Sequence, residues 1–136
     1  MLLLIFFFLS QDHDYALKGQ GFTVRLNIPF DDYVYSEDYV EEGTFFDFSF
    51  SDTTAITVQC VSNVRRPSMK KNVYKIDTLE IDNQLVYRCL GMKGDGYRYW
   101  QEDVYRDIDL SIKIYYRSKE NLNKYRNILD KVKIDL

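Results

Sequence analysis

Apolar and polar residues alternate with a period of two along most of the chain. Phe22, Val24, Leu26 and Ile28 share one face of a run whose other positions are Thr23, Arg25 and Asn27, and Pro29 ends it. That alternation predicts a half-buried strand. Thr44 to Ser51 repeats it with Phe46, Phe48 and Phe50 inward. After the turn Asp52-Thr53-Thr54, Ala55 to Val64 does so again with Ile56, Val58 and Cys60 on one face. The two runs read as a hairpin. Tyr74 to Ile81, the turn Asp82-Asn83 and the run Gln84 to Leu90 make another, with Leu85, Tyr87 and Cys89 on one side. Lys93-Gly94-Asp95-Gly96 then reverses the chain into Tyr97 to Tyr105, and a final strand sets Leu110, Ile112 and Ile114 inward before Tyr115-Tyr116.

One segment has a strong helical period. Ser118 is suited to cap it and Glu120 lies in the first turn, where the helix dipole favours a carboxylate. Leu122, Tyr125, Ile128, Leu129 and Val132 form its apolar stripe, opposite Lys119, Asn123, Lys124, Arg126 and Lys131. A weaker helix is expected over Asp12 to Gly19, and a short strand around Tyr33 to Tyr35 followed by a loop that closes at Gly43. The pattern predicts an α+β fold, an antiparallel sheet of about six to seven strands with the C-terminal amphipathic helix packed on it.

Length and the ends of the chain refine this. With 136 residues the chain makes one domain, expected over 15–136, and 1–14 reads as a signal segment. Met1 to Leu9 is uninterrupted hydrocarbon, and polar Ser10-Gln11-Asp12-His13-Asp14 follows. A membrane span needs about 20 apolar residues, whereas a secretory h-region needs roughly 7–15. No transmembrane helix is therefore expected, and the protein is expected to be periplasmic or secreted. No Lys or Arg precedes the run, and Phe8-Leu9-Ser10 is a poor small-x-small cleavage site. A start placed too late, with the basic n-region lost, accounts for the first defect. If the run is instead a buried terminal strand, the location is cytoplasmic.

The net charge of −3 and the isoelectric point near 5.1 argue against a nucleic-acid partner. The basic run Arg65-Arg66-Pro67-Ser68-Met69-Lys70-Lys71 could grip phosphate, but a solvated loop between strands is the plainer reading. Twelve tyrosines and nine phenylalanines favour sheet first and an aromatic recognition surface second. Cys60 and Cys89 belong to no CxxC motif. Both fall on inward strand positions, so they are expected on one sheet facing one apolar layer. They are core thiols in a reducing compartment and a disulfide pair in an oxidising one.

Candidate chemistry is sparse. His13 is the only histidine, and Asp12-His13-Asp14 lacks the further ligands a metal site requires. Lys93-Gly94-Asp95-Gly96 feeds a strand, not the helix of a phosphate loop, and turn chemistry accounts for it. Asp47, Asp77 and Asp109 are carboxylates in or near strands, with nothing in the sequence to make any two converge. No catalytic group, cofactor or metal is expected. The most distinctive polar segment is acidic and tyrosine-rich: Tyr33, Tyr35, Glu37, Asp38, Tyr39, Glu41 and Glu42. It lacks the EF-hand order of calcium ligands. It is suited to dock a basic partner, with a solvated acidic loop as the plainer alternative.

The opening Gly21-Phe22-Thr23-Val24-Arg25-Leu26-Asn27-Ile28-Pro29-Phe30 resembles the start of Mog1/PsbP-like domains, including small exported DcrB-like proteins of bacteria. The run of hairpins and the finish, a strand over Leu110 to Tyr116 and then a Ser-initiated helix, are similar too. Gly96-Tyr97-Arg98-Tyr99-Trp100 before the last strand also resembles small exported proteins of Bacteroidetes. The resemblance implies an α/β/α sandwich and a non-catalytic, accessory or binding role. The expectation is thus an exported, non-enzymatic binding or accessory domain of unknown ligand. The alternative is an immunity or inhibitor protein that neutralises a basic toxin.

Overall fold

The computed structural model describes residues 13–62, 72–92 and 98–136. The Met1 to Leu9 run, the basic run Arg65 to Lys71 and the Lys93 to Gly96 reversal lie outside the described residues. Among the described residues ten strands and one helix follow in chain order: β1 His13–Lys18, β2 Thr23–Ile28, β3 Tyr33–Val40, β4 Gly43–Phe50, β5 Ala55–Val61, β6 Val73–Ile81, β7 Gln84–Met92, β8 Tyr99–Tyr105, β9 Ser111–Tyr116, α1 Lys119–Asp130 and β10 Lys133–Asp135. A seven-stranded antiparallel sheet runs in the order β3-β4-β5-β9-β8-β7-β6, and a three-stranded sheet in the order β1-β2-β10.

The hairpins form where the turn residues predict them. Asp82 and Asn83 both take positive φ, 48° and 64°, the backbone that a tight two-residue hairpin demands. Asp52 Oδ1 accepts from the Thr54 backbone N–H at 3.0 Å and stiffens the β4–β5 turn. The inward faces of β2, β4, β5 and β9 are buried as the alternation predicts: Val24, Leu26 and Ile28; Phe46, Phe48 and Phe50; Ile56, Val58 and Cys60; Ile112 and Ile114.

Helix α1 begins at Ser118, whose Oγ accepts from the Asn121 backbone N–H at 3.2 Å. Its stripe of Leu122, Tyr125, Ile128 and Leu129 is buried, and Val132 beyond it is buried too. The helix packs on β9 of the large sheet and on β2 of the small one. Arg126, expected on the solvated face, is half-buried, and its Nε donates to Gln101 Oε1 at 2.6 Å.

Four expectations are corrected. Residues His13 to Lys18 form β1, not a helix, paired antiparallel with β2 so that Tyr15 and Leu17 oppose Leu26 and Val24. His13 and Asp14 are therefore paired in the sheet, opposite Ile28 and Asn27. β3 runs the full eight residues to Val40 instead of stopping near Tyr35. The helix-facing side of β7 is Val86 and Arg88, which lie in register with Tyr105 and Asp103, and Leu85, Tyr87 and Cys89 point the other way.

The fourth correction concerns the cysteines. Cys60 and Cys89 do lie in one sheet, on β5 and β7, but β9 and β8 lie between them. Three inter-strand steps of about 4.8 Å put them on the order of 14 Å apart, about twice a disulfide's reach. The register also sets them on opposite faces. Val58 pairs with Ile112, Ile112 with Asp103 and Asp103 with Arg88, so Cys60 shares the side of Arg88, not that of its neighbour Cys89. No disulfide joins them. Burial pushes the Cys60 thiol up to about 12.

Candidate functional site

The acidic, tyrosine-rich segment is β3 and the turn after it. Among the described residues β3 is an edge strand, paired with β4 alone, through a register that runs from Tyr33 opposite Phe50 to Val40 opposite Gly43. Alternation splits its side chains. Tyr33, Tyr35, Glu37 and Tyr39 share the face towards the small sheet, while Val34, Ser36, Asp38 and Val40 share the other.

Tyr33 and Tyr35 are committed to packing. Tyr33 Oη lies 2.6 Å from Tyr15 Oη, and the Tyr15 ring sits 4.9 Å from both Tyr35 and Phe48. These contacts glue β1 to the large sheet. Beyond the end of that sheet the same face of β3 comes out into solvent. Tyr39 is 75% exposed and Val34, on the opposite face, 69%. Here Glu37 is clamped: Tyr35 Oη donates to Oε1 at 2.6 Å, and Tyr39 Oη donates to Oε2. The two phenols hold the Glu37 carboxyl below its ordinary range. Burial, then the bond to Glu37, raises Tyr35, and the bond to Glu37 raises Tyr39.

Gly43 shapes the adjoining turn. Its φ is 150°, and a Cβ there would stand 2.1 Å from the Cys60 carbonyl oxygen. A residue with a side chain would push the hairpin off β5, so glycine lets the exposed Glu41 and Glu42 sit tightly against the sheet end. The Ser62 N–H donates to the Glu42 carbonyl at 3.0 Å and fixes that turn to β5's end. The structure thus brings Glu37, Tyr39, Glu41 and Glu42 to one edge of the molecule. Asp38 lies on that edge but on the opposite face of β3. The segment can present fixed negative charge beside strand backbone that no other described strand pairs.

A second cluster was invisible in the sequence. The interior strand β8 is buried along almost its whole length, and three of its buried residues are polar: Gln101, Glu102 and Asp103. On the helix side Arg88 makes a bidentate pair with Asp103, Nε to Oδ1 at 2.8 Å and Nη2 to Oδ2 at 2.9 Å. Its Nη2 also reaches Asp130 Oδ1 at 2.7 Å. Burial opposes the Arg88 charge, but the two carboxylates outweigh it and hold the guanidinium protonated. Asp103 is raised by its burial, against the pull of Arg88. With these groups paired to one another, the arrangement is suited to holding α1 on the sheet.

On the face away from the helix, Lys113 Nζ lies 4.8 Å from the Trp100 ring centre and 4.7 Å from that of Tyr115. A cation held between two aromatic rings stiffens β8 against β9. The remaining candidates stay apart. His13 Nε2 bonds Asp31 Oδ1 at 3.0 Å on the surface. Asp47 accepts from the Thr57 hydroxyl at 2.7 Å, and Asp77 sits 3.5 Å from Lys75. Among the described residues no three His, Cys, Asp or Glu side chains group to hold a metal ion. No family model matches the chain, and neither does any curated protein or solved structure.

Proposed function

We propose that the chain is a binding or accessory domain, working outside the cytoplasm without catalysis, that docks a basic protein partner on the β3 edge and the Glu41-Glu42 turn. The observation that carries the reading is Glu37, an exposed carboxylate fixed by two tyrosine hydroxyls on an edge strand. A fixed anion loses less side-chain entropy on binding than a free one. An edge strand adds backbone donors and acceptors for a partner strand. Tyr39, Glu41 and Glu42 widen the patch with aromatic area and charge.

The apolar Met1 to Leu9 run supports export. Among the described residues no helix is long and apolar enough to cross a membrane. The Mog1/PsbP-like resemblance fits an accessory role, and α1 lying on an antiparallel sheet fits the α+β class alone. The three-stranded sheet β1-β2-β10 is no part of what that resemblance implies. The same patch would serve an immunity protein that blocks a basic toxin, since carboxylates gathered on one hairpin end suit either partner.

The test is a titration of isotope-labelled protein with a peptide of alternating lysine and valine. Amide shifts should concentrate on β3 and the following turn. Replacing Glu37, Glu41 and Glu42 together by glutamine should weaken binding by about tenfold or more. Shifts centred elsewhere, or affinity untouched by the triple change, would refute the reading. Co-expression with the product of the adjoining gene separates the two roles, because only an immunity protein rescues growth from a toxin.

A further inference from the structure

A concave surface lies across the sheet from the β3 edge, and its charge is of the opposite sign. A cleft of about 650 Å³ opens between the first two turns of α1 and the outer strands β6 and β7. Among the described residues four cations line it, Lys75 from β6 and Arg117, Lys119 and Arg126 from the helix side, and no carboxylate does. Its floor is aromatic. Tyr99 and Tyr116 stack there at 5.7 Å with their planes 21° apart, and Tyr74, 59% exposed, stands at the rim.

Helix stability does not account for the two cations at the start of α1. A helix favours cations at its C-terminal end and disfavours them at its N-terminal end. Here Arg117 and Lys119 crowd the N-terminus, and the last turn holds no basic residue. Glu120 offsets one charge but does not line the cleft. Lys75 has Asp77 at 3.5 Å, but in a chain of net charge −3 the gathering of Arg117, Lys119 and Arg126 around one hollow still costs repulsion that an anion would relieve.

One of the four is also oriented from below. Arg126 Nε donates to Gln101 Oε1 at 2.6 Å, and Gln101, fully buried, donates through Nε2 to Asp103 Oδ1 at 3.4 Å. The buried Arg88–Asp103 pair thereby continues through Gln101 to the cleft, and it sets the guanidinium plane of Arg126 before any ligand arrives. Pre-set guanidinium geometry suits the paired oxygens of a phosphate.

We propose that this cleft binds a small phosphorylated ligand. The phosphate meets Arg117, Lys119, Arg126 and the N-terminal amides of α1, and a planar or sugar body lies over Tyr74 and Tyr99. The volume is that of a site for a single small molecule. The assignment is independent of the β3 edge and its partner.

The experiment is calorimetric and NMR titration of the full chain with adenosine 5′-monophosphate, inorganic phosphate and adenosine. Saturable binding of the nucleotide is expected, with shifts at Tyr74, Tyr99, Lys119 and Asn123, and adenosine should bind at least about tenfold more weakly. Arg117→Gln and Lys119→Gln, both at exposed positions, should each lower affinity by about tenfold at unchanged melting temperature. Arg126→Lys keeps the charge but loses the planar fork, and should weaken nucleotide and phosphate alike. The proposal is overturned if none of the probes saturates, or if affinity survives the Arg117→Gln, Lys119→Gln double change. Binding of a single-stranded oligonucleotide in preference to the mononucleotide would also overturn it, in favour of a polymeric ligand.

Discussion

Arg88 on β7 reaches Asp130 in the last turn of α1 at 2.7 Å while the same guanidinium holds Asp103 on β8 in a bidentate pair. One side chain therefore ties two strands to the helix. The tie has unequal ends. Asp103 has no exposed surface, and Asp130 is 44% exposed.

That inequality predicts two different costs. Arg88→Met leaves the Asp103 carboxylate buried without its cation, and should destabilise the fold by about 3–5 kcal/mol. Asp130→Asn removes a partner that water replaces, and should cost less than about 1 kcal/mol. Urea denaturation of the two variants measures both. Similar losses would mean that the buried pair does not carry the helix–sheet contact.

How far the sequence reveals this depends on whether a residue's role is set locally. The strands β2, β4, β5 and β9 are legible because an apolar residue recurs at every second position on their buried faces, and α1 because Ser118 and its stripe agree. β7 was misphased for a definite reason. Its core face carries Arg88, and its other face carries Leu85, Tyr87 and Cys89, so hydrophobicity points to the wrong side. The same inversion placed Cys89 with Cys60. His13 to Lys18 alternates too weakly to mark β1 as a strand, and the outer half of β3 carries Glu37 on one face and Asp38 on the other, as an edge strand past the end of its cover can. The pairing of β10 with β2 joins residues from opposite ends of the chain, which no local pattern reports. The acidic patch could be located in sequence but not divided between faces. The buried Arg88–Asp103 pair and the basic cleft assemble from separate elements, and only the fold brings them together.

The separation of the two cysteines makes a chemical prediction. Protein purified under oxidising conditions should contain no intramolecular disulfide, whichever compartment it comes from. Native Cys60 should react slowly with a thiol reagent, because burial both shields it and pushes its thiol up to about 12. In denaturant both thiols should react at once. Non-reducing peptide mapping and a timed thiol assay test this, and a Cys60–Cys89 cross-linked peptide from folded protein would contradict the sheet order.

Asp52 gives the fold a measurable acid dependence. Its Oδ2 accepts from Tyr125 Oη at 2.7 Å, its Oδ1 from the Thr54 N–H at 3.0 Å, and Lys124 Nζ lies 3.8 Å away. Burial alone would raise the carboxyl, but the donated hydrogen bonds outweigh it and lower it below the ordinary 3.8. The unfolded chain therefore takes up this proton first as pH falls. The contribution is complete above 3.8 and disappears as pH drops through the lower folded value. Tyr125→Phe should cost about 1 kcal/mol near neutrality. It should also flatten the dependence of stability on pH below about 4, where the wild type is still losing this term. Urea midpoints across that range decide it, and parallel curves for the two proteins would exclude Asp52 as the source.

Gly91 and Trp100 provide the last test, with its own reporter. The two residues are directly opposed in the β7–β8 register, and the indole of Trp100 lies over the glycine. A Cβ at Gly91 would stand 2.2 Å from the ring, a distance at which the ring must move. Trp100 is only 6% exposed and holds Lys113 against its face, so movement disturbs a packed row and not a loose tip. Gly91→Ala should therefore cost about 1–3 kcal/mol, as overpacking does. Trp100 is the chain's single tryptophan, so emission reports on this site alone. The variant should emit further to the red and be quenched more readily by iodide than the wild type. Lys113→Met, which removes the cation but keeps the hydrocarbon stem, should alter the emission without the loss in stability. An unshifted spectrum in Gly91→Ala would show that the ring does not rest on the glycine.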